Sequence, residues 1–185
     1  MRLNTQHIEA HNNQLIDAHQ KKLQYAKQMV PSANAIVEKL KAFNVAVPSW
    51  ALGTGGTRFG RFSGTGEPGS LEQKMEDVGL LHALNKSSGA ISLHIPWDIP
   101  SDYAAIRNLA KELDLSFDAV NSNTFQDQKD QVLSYKYGSL QNVNKKIRQQ
   151  AIDHNIDVIK HGVELGSKSL TVWLSDGSTF PGQLN

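Results

Sequence analysis

Predicted strands and helices alternate along most of this chain, and the alternation limits how its sheet can be paired. Short apolar runs predict strands at Val45–Leu52, Ala90–Ile95, Leu115–Asn121 and Leu170–Leu174. Between them lie segments whose apolar residues recur at helical spacing. Where strands and helices take turns along a chain, neighbouring strands pair in parallel and the helices cover the sheet. The sequence therefore predicts an α/β fold with a parallel sheet.

The helix boundaries are predicted from capping and breaking residues. Ser70 is expected to cap one helix, with Gln73 as its partner in a capping box. Ser101 is expected to cap the next helix, and Gly166 to end a long one. The predicted helices cover about Asn4–Met29, Ser32–Phe43, a segment that starts at Ser70, a segment that starts at Ser101, and Ser139–Leu165.

Chain length sets the size of the sheet that can form. A complete eight-stranded barrel takes typically ~250 residues, whereas this chain has 185 and its fourth predicted strand has no covering helix. An open doubly wound sheet is the alternative, but it would leave that strand bare on one face, which parallel sheets rarely tolerate. We therefore expect the N-terminal half of a (β/α)8 TIM barrel with extra N-terminal helices. Residues 1–43 would form the helical segment, and 44–185 the first four β/α units.

Composition excludes several classes of function. With 39% hydrophobic and 20% charged residues, the chain is expected to fold. Its formal net charge of +1, from 19 basic and 18 acidic residues, provides no field for gathering nucleic acid. The absence of cysteine excludes disulfides and thiolate chemistry. Because the sequence shows neither a membrane-spanning apolar run nor a signal peptide, we expect a cytoplasmic protein without membrane or nucleic-acid partners.

One histidine is predicted to lie where α/β folds carry their chemistry. In the strand that ends at Pro96, Ile91, Leu93 and Ile95 share one face, because successive strand residues point to opposite sides. His94 falls on the other face. Its imidazole is therefore expected at the carboxyl end of a buried strand, the edge at which parallel α/β folds place their active sites.

Large aromatic rings lie at the ends of the predicted strands or shortly after them. Trp50, Trp97, Phe125 and Trp173 are these rings. A single ring in such a place is more often structural, but several at equivalent strand ends favour a pocket. Aromatic walls suit the apolar C–H faces of a sugar, and a nearby imidazole can bond sugar hydroxyls. The pattern predicts a carbohydrate pocket around His94.

Short motifs in the same order resemble those of the L-rhamnose isomerases, which belong to the xylose-isomerase-like barrel family. The match runs from about Pro48 to Gln183, and the first forty residues add little to it. The motifs are Pro48–Trp50, Gly56–Phe59, Leu93–Asp98, Val120–Asn121, Phe125–Asp127, Trp173–Gly177 and Pro181–Gln183.

The resemblance implies a metal-dependent aldose–ketose isomerase that converts L-rhamnose to L-rhamnulose by a metal-assisted hydride shift, with manganese as the expected ion. By analogy, His94 looks like the histidine that contacts sugar oxygens and assists ring opening. Trp50, Trp97 and Trp173 look like the hydrophobic wall of the pocket. Phe59 looks like the residue that, in a homotetramer, reaches into a neighbouring subunit's site.

The chain departs from the family pattern in one large respect. The family's metal-binding carboxylates and histidine lie on later strands, and none of those motifs occurs here. We therefore expect no metal ligands in this chain and no activity from the chain alone. Two alternatives stay open: a non-catalytic carbohydrate-binding module, and a related TIM-barrel sugar epimerase, which would need two opposed carboxylates for proton transfer.

Overall fold

The computed structural model describes residues 4–53, 56–57, 60–61 and 64–174. In chain order the helices are α1 (Thr5–Met29), α2 (Ala33–Lys41), α3 (Leu71–Asn85), α4 (Tyr103–Glu112) and α5 (Lys145–Leu165). The strands are β1 (Ala46–Pro48), β2 (Gly56–Thr57), β3 (Gly60–Arg61), β4 (Ala90–Ile95), β5 (Ser116–Ser122) and β6 (Leu170–Val172), and a short 3-10 helix covers Ser49–Leu52. Strands β2 and β3 form a small antiparallel pair.

Parallel pairing dominates the larger sheet, as the alternation of elements predicts. Its strand order is β1-β4-β5-β6, and every neighbouring pair in it is parallel. Helices α3, α4 and α5 each connect one strand of this sheet to the next. The predicted mixed α/β fold is confirmed, and a parallel four-stranded sheet with these helices is consistent with part of an α/β barrel.

The hydrophobic core lies between one face of the sheet and the helices. Ile91, Leu93 and Ile95 of β4 are buried there, so the predicted facing of this strand is confirmed. Helix α5 comes so close to β5 that a Cβ on Gly162 would lie 2.9 Å from a methyl group of Val120. The cluster consists of Leu71, Met75, Val78, Ile91, Leu93, Ile95, Ile106, Ala110, Leu115, Val120, Val158 and Leu165.

Several predicted helix boundaries differ from those observed. Ser70 caps α3 as expected, since its hydroxyl accepts the N–H of Gln73. Helix α4 is capped instead by Asp102, whose carboxylate accepts two backbone N–H groups, so the assignment to Ser101 was wrong. Helix α5 begins at Lys145 rather than near Ser139, because the Asn144 side chain caps it.

Two predicted strands end earlier than expected. Strand β1 stops at Pro48, and the chain then turns into the 3-10 helix that carries Trp50. Strand β6 stops at Val172, and both Val172 and Leu174 are exposed. Leu170, at the start of β6, packs against the hydrophobic core.

The N-terminal helices α1 and α2 precede the sheet, as expected. The division of the chain at residues 43 and 44 stays a prediction. Within the described ranges, no helix combines the length and the hydropathy required to cross a bilayer.

Candidate active site

His94 lies within a cluster of aromatic rings at the carboxyl end of β4. The histidine is 3% exposed. The Trp97 ring stacks on it, with centroids 3.9 Å apart and planes 18° apart. Trp50 and Phe125 meet the imidazole edge-on, at 5.5 Å and 5.8 Å. The imidazole is thus covered on several sides by apolar rings.

Parallel pairing explains why these rings meet. Trp50 follows β1, Trp97 follows β4 and Phe125 follows β5. Carboxyl ends of parallel strands lie at one edge of a sheet, so residues distant in sequence become neighbours there.

The other two predicted pocket residues are placed differently. Trp173 lies just beyond β6, with its ring centroid 6.1 Å from that of Phe125. It is 56% exposed, so it lies at the outer side of this group. Phe59 lies outside the described residues. The roles assigned to all of these residues stay predictions.

A buried carboxylate lies directly behind the ring cluster. Asp98 Oδ2 accepts hydrogen bonds from the Ser49 hydroxyl at 2.5 Å and from the backbone N–H of His94 at 2.8 Å. Asp98 Oδ1 accepts from Lys74 Nζ at 2.6 Å. The side chains of this ion pair are 10% and 1% exposed. We call Ser49, Lys74 and Asp98 the carboxylate network.

Sequence reasoning noted Asp98 but missed its partners. Ser49 lies 49 residues away and Lys74 24 residues away, and no spacing rule links positions so far apart. A lysine inside the apolar stripe of α3, between Leu71 and Met75, is the one available signal. Such a position buries a charge, and a buried charge requires a partner.

Two further polar contacts fix the ends of β5 and β6. Thr124 is fully buried, and its hydroxyl donates to the carbonyl oxygen of Trp173 at 2.6 Å. The Asn121 amide donates to the carbonyl oxygen of Leu93 at 3.2 Å. The first bond joins the segments that carry Phe125 and Trp173 to each other, and the second joins the end of β5 to β4.

His154 of α5 supports the same edge of the sheet from the helical side. Its Nε2 accepts the backbone N–H of Asn123 at 3.0 Å. Burial lowers the pKa of His154 below its ordinary value; Asp157 opposes this shift, and His161 adds to it. Because protonation at Nε2 would also break the bond to Asn123, the folded state favours neutral His154.

Stability is therefore expected to fall in mild acid through His154. Its pKa is lower in the folded state, so the unfolded chain binds more protons as the pH drops below about 6.5. Replacing His154 with leucine should flatten this pH dependence. At pH 7.5 it should cost about 1–3 kcal/mol, because the N–H of Asn123 is left unsatisfied. Urea titrations at pH 7.5, 6.5 and 5.5 measure both effects.

A matched control is His7→Gln, since His7 is exposed on α1. It should leave the pH dependence of the parent chain unchanged. An unaltered dependence in His154→Leu would contradict the assignment.

Cavities occur at both edges of the sheet. One of about 350 Å³ is lined by Lys74, Trp97, Asp98 and part of the segment from Gly64 to Leu71. Another, of about 390 Å³, lies at the amino-terminal edge beside Lys41, His82 and Lys86. Both volumes fall within the range of small-molecule sites. Only the first borders the ring cluster, at the edge where parallel α/β folds carry their chemistry.

The described residues do not form a metal centre. Across residues 4–53, 56–57, 60–61 and 64–174, no three His, Asp or Glu side chains come together in a way that could hold an ion. Divalent cations of the expected kind need several oxygen or nitrogen ligands. The described residues therefore do not fit the manganese ion that the family resemblance implies.

Comparison with known protein families gives no match to a family model. Two curated proteins do align with this chain. A probable sugar isomerase of Rhizobium meliloti is 52% identical over 152 residues, and a probable sugar isomerase of Mesorhizobium japonicum is 51% identical over 152 residues. Each alignment covers 82% of this chain and 35% of the relative. The chain is thus similar to proteins named probable sugar isomerases and spans about a third of their length.

Proposed function

We propose that this chain forms the sugar-contacting part of an aldose–ketose isomerase that acts on L-rhamnose. The observation that carries the proposal is the enclosure of His94 by Trp50, Trp97 and Phe125 at the carboxyl end of the sheet. The names of the two relatives support isomerase chemistry on a sugar. L-rhamnose itself rests on the motif resemblance.

The ring cluster suits this role chemically. Indole and phenyl faces pack against the C–H faces of a sugar ring, and they exclude water from the reacting carbons. His94 is 3% exposed and both of its ring nitrogens are buried, so a sugar would have to displace part of the aromatic wall to reach one edge of the imidazole. That edge would take the proton of the anomeric hydroxyl and deliver it to the ring oxygen as the bond between C1 and the ring oxygen breaks and the C1 carbonyl forms. Trp50, Trp97, Phe125 and Trp173 would form the wall.

The remainder of the catalytic apparatus belongs to the proposal as well. The divalent cation, manganese by resemblance, would supply Lewis-acid chemistry when bound. The resemblance also supports a homotetramer in which Phe59 completes a neighbouring site.

Sugar binding to the chain tests the proposal directly. Titrating L-rhamnose in the presence of EDTA is expected to shift the NMR resonances of the His94 and Trp97 rings, with a Kd of about 1 mM or weaker. Trp97→Ala should abolish the shifts, because it removes the ring that stacks on His94. Tyr137→Ala is the control, since Tyr137 is an exposed aromatic residue that is not one of the rings around His94. Unperturbed His94 and Trp97 resonances at saturating sugar would contradict the proposal.

Affinity separates this proposal from the carbohydrate-binding module. A module that works alone should bind in EDTA with a Kd below about 10 µM, as calorimetry would show. Weak binding supports a partial isomerase site.

Turnover provides a further test. With manganese added, the purified chain is expected to convert no L-rhamnose to L-rhamnulose. Appearance of the ketose would contradict the prediction that the chain alone is inactive. Appearance of an epimer of the aldose instead would favour the sugar epimerase.

A further inference from the structure

We infer that Asp98 is a positioning residue, whose hydrogen bonds to Ser49 and to the His94 backbone hold the imidazole between Trp50 and Trp97. The inference deepens the proposed function and rests on it for the meaning of the site. Its geometry, however, can be tested without a sugar.

Two hydrogen bonds close the turn that links His94 to Asp98. The backbone N–H of His94 donates to Asp98 Oδ2 at 2.8 Å, and the backbone N–H of Asp98 donates to the carbonyl oxygen of His94 at 2.9 Å. Both backbone groups of the histidine are thereby tied to one residue. Trp97 lies inside this closed turn, so the turn fixes where its ring stacks.

The segment that carries Trp50 is bonded to the same carboxylate. Ser49 precedes it in the 3-10 helix, is fully buried, and donates its hydroxyl to the same Oδ2 atom at 2.5 Å. One carboxylate oxygen thus accepts hydrogen bonds from both the strand that carries His94 and the segment that carries Trp50. The edge-on contact of these two rings at 5.5 Å depends on that shared acceptor.

Asp98 also forms a buried ion pair with Lys74. Lys74 Nζ lies 2.6 Å from the other oxygen, Oδ1, and both side chains are buried. An isolated buried carboxylate is strongly disfavoured, whereas a paired one is tolerated. Lys74 therefore pairs with Oδ1, while Oδ2 accepts the two hydrogen bonds that position the rings.

Because Oδ2 accepts the hydrogen bonds and Oδ1 pairs with Lys74, a double substitution can distinguish a positioning role from a merely stabilising ion pair. In the double variant Lys74→Met/Asp98→Asn, both charges disappear together. The amide oxygen of the new asparagine can still accept from Ser49 and from the His94 N–H, and its NH₂ group faces the methionine. Positioning should survive in this variant and fail in Asp98→Ala.

Ring-current shifts of the His94 side-chain protons provide the spectroscopic signature. In the parent chain the stacked Trp97 ring displaces these resonances from their ordinary positions. Asp98→Ala is expected to lose most of that displacement, and Lys74→Met/Asp98→Asn to retain it. Ser49→Ala should change only the part contributed by Trp50. Asp114→Asn, at the distant pair with His82, is the matched control and should change nothing.

The result that overturns the inference is an unchanged His94 displacement in a folded Asp98→Ala chain. If Asp98→Ala does not fold, the other two variants decide. Loss of the displacement in the double variant, or no change in Ser49→Ala, overturns it equally.

L-rhamnose binding then separates this inference from the proposed function. In Asp98→Ala the Kd obtained from the sugar-induced shifts should rise by about tenfold, because a misplaced imidazole loses its hydrogen bond to the sugar. If the parent chain shows no response to L-rhamnose, the proposed function fails, and the ring-current comparison still decides the role of Asp98.

Discussion

Replacing Asp98 with alanine is expected to lower the free energy of unfolding by about 3–5 kcal/mol. The substitution leaves the Lys74 ammonium buried without its counter-ion, and it removes the acceptor for the Ser49 hydroxyl and the His94 N–H. Urea unfolding followed by circular dichroism measures the change. Such a loss is a large part of the stability of a domain this size.

Two controls give this prediction its meaning. Asp114→Asn removes the charge of a carboxylate that pairs with His82 at 3.3 Å but is 92% exposed. Asparagine tolerates the left-handed backbone at this position, where φ is 55°, so the effect should stay within about 1 kcal/mol. Lys74→Met/Asp98→Asn should recover much of the stability, because paired removal leaves no uncompensated charge. A cost for Asp98→Ala no greater than that for Asp114→Asn would mean that the Lys74–Asp98 pair is not desolvated.

Met75→Ala is expected to destabilise the chain by about 2–5 kcal/mol. Met75 is fully buried in the core between α3 and the sheet, so truncation loses transfer free energy and leaves a cavity. Met75 also follows Lys74 on α3, and loosening this helix should weaken the hold on Asp98. Thermal and urea unfolding measure the loss, and the His94 ring-current shift reports whether it reaches the site.

The matched control lies on the same helix. Leu84 is 46% exposed, so Leu84→Ala should change stability by less than about 1 kcal/mol. Equal effects of the two substitutions would contradict the placement of α3 against the sheet.

The fold could be predicted because its signals are local. Apolar runs such as Ala90–Ile95 alternate with helix-spaced segments, and this order alone implies parallel pairing. Strand parity placed Leu93 toward the helices and His94 on the other face, because side chains alternate along a strand. Parallel pairing brought Trp50, Trp97 and Phe125 to one edge, because each follows the carboxyl end of a strand.

What the sequence could not provide depends on contacts between distant residues. The bond from Ser49 to Asp98 spans 49 positions, and Lys74 in isolation resembles an ordinary helix lysine. The early end of β1 follows from the turn that brings Ser49 to that carboxylate. The start of α5 was misplaced because several polar residues precede it, and only Asn144 has the geometry to cap it.

The single acceptor at Asp98 also has a consequence for how the chain folds. Its described donors lie 4, 24 and 49 residues away along the chain, so the carboxylate is fully satisfied only after β1, α3 and β4 have docked together. Partly assembled intermediates would carry a desolvated carboxylate or a lysine without its counter-ion, and either raises their free energy. The residue that orders the aromatic group thus also makes assembly of the first half of the chain more nearly all-or-none.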